Sequence, residues 1–143
     1  MNQPKYLKPL PVPQPESEFY WKKIRQHELW LRKCEDCRQV YFYPRDICPD
    51  CFSRNTTWIQ SSGKGILHTF AIVHRAAYPA FQLDVPYIIA MVELEGGARI
   101  PTNLVGIDPD PEKIKVGMAV EVTYDDVSEK ITLPKFRPVS NFS

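Results

Sequence analysis

The sequence predicts a mainly β protein built from an N-terminal helix, a short metal-held ribbon and a five-stranded barrel. Three observations predict it. Cys34, Cys37, Cys48 and Cys51 are the only cysteines, and they fall as C-x2-C-x10-C-x2-C. Residues 59–143 carry successive apolar runs rich in β-branched and aromatic residues. An amphipathic stripe with helical spacing lies just ahead of the first cysteine.

The chain opens on an arm with prolines at 4, 9, 11, 13 and 15, a composition that favours extended polyproline II. This segment is either a disordered tail or an arm that lies along this protein or a partner, for which Tyr6, Leu7 and Leu10 supply apolar anchors. Pro15 ends it. Ser17 is placed to cap a helix with Glu18 in its first turn. Tyr20, Ile24, His27 and Leu31 follow i, i+4, i+7, i+11, which predicts a helix running to Leu31. Phe19, Trp21 and Trp30 lie off that stripe, more apolar surface than one docking face buries. The excess either marks an interface with a partner or ligand or caps the adjacent domain, which is the plainer alternative.

Residues 32–58 form the metal module. A two-residue gap lets both thiolates of a knuckle reach one ion, and two knuckles complete a tetrahedral cage with Zn–S near ~2.3 Å. All four positions are then filled by protein, so the site is structural. Iron in a rubredoxin-like site uses the same ligands; two disulfides fit the spacing poorly. Gln39–Tyr43 and Thr56–Ile59 read as short strands after the two knuckles. A module of about 27 residues holds too little core to fold without the metal.

In residues 59–143, Ile66–His74 and Tyr87–Leu94 are long strand signals. Arg99–Val105 is a third, with Pro101 marking an edge or bulge. Val120, Val122 and Tyr124 alternate with polar residues as a half-buried fourth, and Ile131–Phe136 is the fifth. Between third and fourth, Asp108-Pro-Asp-Pro-Glu-Lys-Ile predicts a turn that starts one helical turn. Five strands with that insert fit the OB-fold, with an SH3-like barrel as the near alternative. The expected units are therefore 1–31 (arm and helix), 32–58 (ribbon) and 59–143 (barrel).

Charge narrows the function. Eighteen basic and 17 acidic side chains leave +1 overall, too little field to gather a polyanion. Residues 59–143 lean acidic, with eight basic and ten acidic groups, against the basic excess of nucleic-acid binders. No stretch approaches the ~20 apolar residues of a membrane span. The expectation is a soluble, cytoplasmic protein whose thiols stay reduced.

A set of short pieces in fixed order resembles a known family. They are Leu31-Arg-Lys-Cys34-Glu-Asp-Cys37, Tyr43-Pro-Arg45-Asp-Ile-Cys48-Pro-Asp-Cys51, Ser62-Gly63-Lys-Gly65, Pro86-Tyr87-Ile-Ile-Ala, Val92-Glu-Leu-Glu-Gly96, Gly117-Met118-Ala-Val-Glu-Val and Phe136-Arg137-Pro138. Together they are similar to the zinc-ribbon OB-fold proteins associated with acyl-CoA enzymes. That resemblance implies an accessory subunit of a thiolase-superfamily protein, of thiolase, hydroxymethylglutaryl-CoA-synthase or lipid-transfer-protein-type aldolase kind. It also implies that the subunit holds acyl-CoA or passes it between active sites.

The residues themselves offer no catalytic constellation. Every thiol is committed to the metal, and G-x-S-x-G and G-x-x-x-x-G-K-[ST] are absent. Ser62-Gly63-Lys64-Gly65 reads as a glycine turn into the first barrel strand. His27 and His68 lie within the helix and strand patterns. His74-Arg75 precedes the loop 76–86, and such loops on a rigid barrel are favoured binding places. Arg75 is suited to clamp a phosphate, and Tyr78 or Phe81 to stack on an adenine; a loop docked on the protein's own helix is the plainer alternative. The expected function is a non-catalytic acyl-CoA-binding, scaffolding subunit. The rival classes are a single-stranded nucleic-acid module and an enzyme using His74 or Glu93.

Overall fold

The computed structural model describes residues 6–139; Pro4 of the arm lies outside them. Pro15–Ser17 forms a 3-10 turn that runs into helix α1, Glu18–Arg25. Ser17 is the residue before α1, but its hydroxyl accepts the Gln14 N–H at 3.1 Å rather than capping α1.

The helix is half the length that the stripe predicts. His27 adopts φ 62°, its N–H donates to the Ile24 carbonyl, and the Glu28 N–H donates to that of Lys23 at 3.0 Å. This paired 5→2 and 6→1 pattern is a Schellman stop with histidine in the position glycine usually takes. Tyr20 and Ile24 keep their place in the core, at 1% and 0% exposure. Leu31, the last residue of the stripe, belongs instead to strand β1, Trp30–Cys34.

The ribbon is a three-stranded sheet in the order β2-β1-β3, with β2 at Val40–Tyr41 and β3 at Thr56–Gln60. Leu31 pairs with Ile59 and Trp30 with Gln60. That sheet accounts for the surplus aromatics of α1. Phe19 meets Trp30 edge-on at 5.4 Å and Trp58 at 4.6 Å, and Lys23 lies over the Phe19 and Trp30 rings. On its other side, Trp21 meets Tyr20 edge-on and donates its indole N–H to the Tyr43 hydroxyl at 3.1 Å. Two intramolecular faces thus use the rings that one face could not, so an interface is no longer required to explain them.

Five strands close the barrel in the order β4-β5-β6-β8-β7. They are β4 (Lys64–Val73), β5 (Tyr87–Glu93), β6 (Arg99–Leu104), β7 (Ala119–Asp126) and β8 (Thr132–Pro138). The predicted helical turn after β6 is only a hydrogen-bonded turn, closed by Lys113 N–H to Asp110 C=O at 2.9 Å. Leu67, Val92, Ile100, Val120 and Phe136, each 0–1% exposed, fill the interior. Tyr20, Ile24, Leu29 and Leu31 join the same core, so α1 and the ribbon are packed onto the barrel. At the ribbon contact, a Cβ on Gly96 would meet Val40 at 2.6 Å.

The predicted glycine turn into β4 is present. Gly63 has φ +78°, and an added Cβ would lie 2.4 Å from the Val122 methyl. Its carbonyl accepts the Val122 N–H at 2.7 Å. Gly63→Ala therefore combines left-handed strain with a clash against a stiff valine, and is expected to cost about 2–3 kcal/mol in urea unfolding. A loss below about 0.5 kcal/mol would mean that this turn is not the one that closes β4 on β7.

Candidate metal centre and barrel cleft

The ribbon's two knuckles bring all four sulfurs to one point. The Sγ atoms of Cys34, Cys37, Cys48 and Cys51 lie within 4.8 Å of one another. Cys34 and Cys51 are 3.5 Å apart, and Cys37 and Cys48 3.6 Å apart. A tetrahedron with Zn–S of ~2.3 Å has S···S edges of about 3.8 Å, so the separations suit the ion. Each knuckle also turns one backbone N–H onto its buried sulfur, Cys37 onto Cys34 and Asp50 onto Cys48, both at 3.4 Å.

Electrostatics point the same way. The Cys37 N–H, with smaller help from other donors, holds the Cys34 thiol down to about 7. At Cys37 a backbone N–H from Gln39 works in the same sense, but burial and the neighbouring thiols outweigh it and push that thiol up to about 12. Four sulfurs this close cannot all ionise beside one another unless a cation compensates them. The donor set and geometry therefore fit one tetrahedral thiophilic ion, with Cys34 and Cys48 buried and Cys37 and Cys51 on the outside. The residues following the second cysteine of each knuckle, Arg38 and Phe52, take φ 68° and 64°. The knuckles are thus related in backbone shape as well as in spacing.

The second feature is a cleft of about 800 Å³ at one end of the barrel. Its walls come from the arm (Tyr6 to Pro11), the 76–86 loop and the β6–β8 side of the barrel. Of the three residues that the sequence singles out for ligand contact, only Phe81 lines it. Tyr78, 53% exposed, meets Phe81 edge-on at 6.1 Å from outside the lining. Arg75 is exposed on the segment before the loop and does not line the cleft. The loop docks on the arm rather than on α1: Asp84 of its 3-10 turn, Pro79–Asp84, pairs with Lys8, which also lies 5.6 Å from the Phe81 ring. Sequence reasoning missed Lys8, Asn103, Tyr87 and Lys135 as cleft residues. They come from four separate segments, and no local pattern joins them.

His74 and Glu93, the alternative catalysts that the sequence offers, lie at opposite ends of the β4–β5 hairpin, where Val73 pairs with Tyr87 and Ile66 with Glu93. His74 is exposed beyond β4, whereas Glu93 ends β5 and lies 3.6 Å from Arg99. Among the described residues, no helix is long and apolar enough to cross a membrane.

Comparison with known proteins agrees with both halves. Residues 21–57 match the rubredoxin-like zinc ribbon domain of ChsH2, and residues 58–125 match the C-terminal OB-fold domain of ChsH2. A DUF35 domain-containing scaffold protein of Methanocaldococcus jannaschii is 38% identical over 130 residues, covering 85% of this chain and 89% of that one. A probable enoyl-CoA hydratase alpha subunit of Thermomonospora curvata is 35% identical over 137 residues. There the match covers 96% of this chain but 42% of the relative, so the chain spans about two-fifths of that protein. Among solved structures, the Ltp2-ChsH2(DUF35) aldolase matches with TM-score 0.75 and 34% identity, over 90% of this chain and 98% of that one. A knuckled ribbon joined to a closed five-stranded barrel, and a homologue matched over nearly its whole length, place this chain in the DUF35 family, in its ChsH2-type form of zinc ribbon and OB-fold.

Proposed function

We propose that this chain is a non-catalytic accessory subunit that holds an acyl-CoA-processing enzyme of the thiolase superfamily and keeps acyl-CoA within its reach. One observation carries the reading: the likeness to the chain of the Ltp2-ChsH2(DUF35) aldolase runs through 98% of that chain. The two chains therefore share one fold over nearly all of their lengths. The archaeal relative, matched over 89% of its length, bears the name of a scaffold protein. The hydratase named in the Thermomonospora relative is a property of a longer protein, of which this chain spans the smaller part.

In this reading Cys34, Cys37, Cys48 and Cys51 hold one structural zinc, which stiffens the ribbon; with four protein ligands it has no position for a reacting water. The acyl-CoA site is the cleft, with Phe81 on its wall and the exposed Arg75 and Tyr78 available to the nucleotide end. The partner is an enzyme of thiolase or hydroxymethylglutaryl-CoA-synthase type. Co-expression with such an enzyme should give a complex of defined mass that survives gel filtration; separate elution at micromolar concentration counts against the scaffold role.

The isolated chain is expected to release no CoA from acetyl-CoA or acetoacetyl-CoA above the buffer rate, followed by thiol titration. Turnover that survives repurification and disappears in His74→Ala would make the chain an enzyme.

A further inference from the structure

We infer that the barrel cleft takes the uncharged, amide-bearing chain of a pantetheine thioester and leaves the nucleotide phosphates outside; this rests on the acyl-CoA reading above and specifies which part of the ligand enters. The charges of the cleft carry the inference. Among the described residues its two cations, Lys8 and Lys135, are each already paired, Lys8 with Asp84 and Lys135 with Asp125 at 2.7 Å. Lys8 and Asp84 both line the cleft, and Lys135 on its wall is neutralised by Asp125 from outside the lining. A diphosphate placed there would face the Asp84 carboxylate and would have to compete with both ion pairs. An uncharged chain meets no such cost.

The walls suit such a chain. Tyr6, Phe81, Tyr87 and Leu10 supply aromatic and aliphatic surface, and about 800 Å³ lies inside the roughly 300–1,000 Å³ typical of small-molecule sites. The cleft also borders a seam in the barrel. β6 and β8 pair only at Leu104–Phe136, and two residues earlier the Thr102 hydroxyl bridges them by donating to the Pro134 carbonyl at 3.1 Å. Asn103, on the cleft wall, donates its side-chain amide to the Ile88 carbonyl at 3.0 Å. Its own side-chain oxygen is then an acceptor for a ligand amide N–H. A linear molecule with spaced amides and a short acyl end matches this lining better than a charged nucleotide does.

Calorimetric titration of the zinc-loaded full chain with acetyl-pantetheine, acetyl-CoA and adenosine 3′,5′-bisphosphate tests this. Acetyl-pantetheine and acetyl-CoA are expected to bind within about threefold of each other. Acetyl-pantetheine binding should change little between low and high salt, and the bisphosphate should give no heat of binding. Phe81→Ala, a half-exposed loop position, should weaken both thioesters by the same factor, about tenfold. If acetyl-CoA binds more than about thirtyfold tighter than acetyl-pantetheine, or if Phe81→Ala weakens acetyl-CoA alone, the nucleotide occupies the cleft. The inference then falls while the acyl-CoA reading stands. If neither thioester binds, the acyl-CoA reading falls and the inference with it.

Discussion

Removing the metal is expected to unfold the ribbon before anything else in the molecule. Among the described residues, the local core around the knuckles is Cys34, Tyr41 and Cys48, and two of these three are candidate ligands. Zinc binding in peptides of this kind is coupled to folding by roughly 10–16 kcal/mol, as much as the total stability of an ordinary domain. Purified protein should contain one equivalent of zinc by elemental analysis, with no visible absorption of the sort iron thiolates give. After chelation, hydrogen exchange should become fast at residues 35–57 while amides of β4 and β5 stay protected. Cys48→Ser, which also buries a hydroxyl at a fully enclosed position, should be at least as damaging as Cys51→Ser at the exposed ligand. A metal-free protein with unchanged protection in the ribbon would show that the sulfurs pack without an ion.

Effects on the barrel should be smaller, because its interior is filled by side chains of its own strands, Leu67, Val92, Ile100, Val120 and Phe136. Leu31 and Val40 reach the shared core, and Gly96 admits Val40 at close range. Chelation should therefore loosen that contact and lower the melting temperature of the barrel modestly, rather than unfold it.

The features legible in the sequence were those written locally. Cysteine spacing alone located the knuckles, since backbone geometry ties two-residue gaps to a single ion. Four barrel strands were plain from β-branched runs. Pro101 signals an edge, and it does sit where the β6 ladder runs only on the β5 side. The end of α1 was not legible, for a physical reason. Its stop relies on His27 in a left-handed conformation, and histidine carries none of the signal that a glycine would have given. Leu31 then fell on the helical stripe by coincidence of spacing, although its real partner is Ile59 across the sheet. The cleft was illegible for another reason: arm, loop and seam lie tens of residues apart, and only closure of the barrel brings them together.

The second large effect is expected from Tyr20→Ala. Tyr20 is 1% exposed and lies against Trp21, Phe42 and Tyr43, with ring centroids at 5.1, 5.6 and 6.1 Å. It also borders a small cavity whose other walls are Ile100 and Pro101 of β6 and Leu133 and Pro134 around the start of β8. One side chain thus joins helix, ribbon and barrel. Truncating a buried ring of this size costs about 3–5 kcal/mol, equivalent to a fall in Tm of roughly 10–20 °C for a chain of this length. Trp21 is only partly buried and keeps one hydrogen bond, so Trp21→Ala should cost less, on the order of 1–2 kcal/mol. Exposed Lys22 should be near neutral. The order Tyr20, Trp21, Lys22 is the discriminating result, measured by urea unfolding with zinc present throughout. Equal losses at Tyr20 and Trp21 would place both rings in one closed core. A negligible loss at Tyr20 would mean that α1 is not docked on the barrel seam, and the helix would then be free to bind elsewhere.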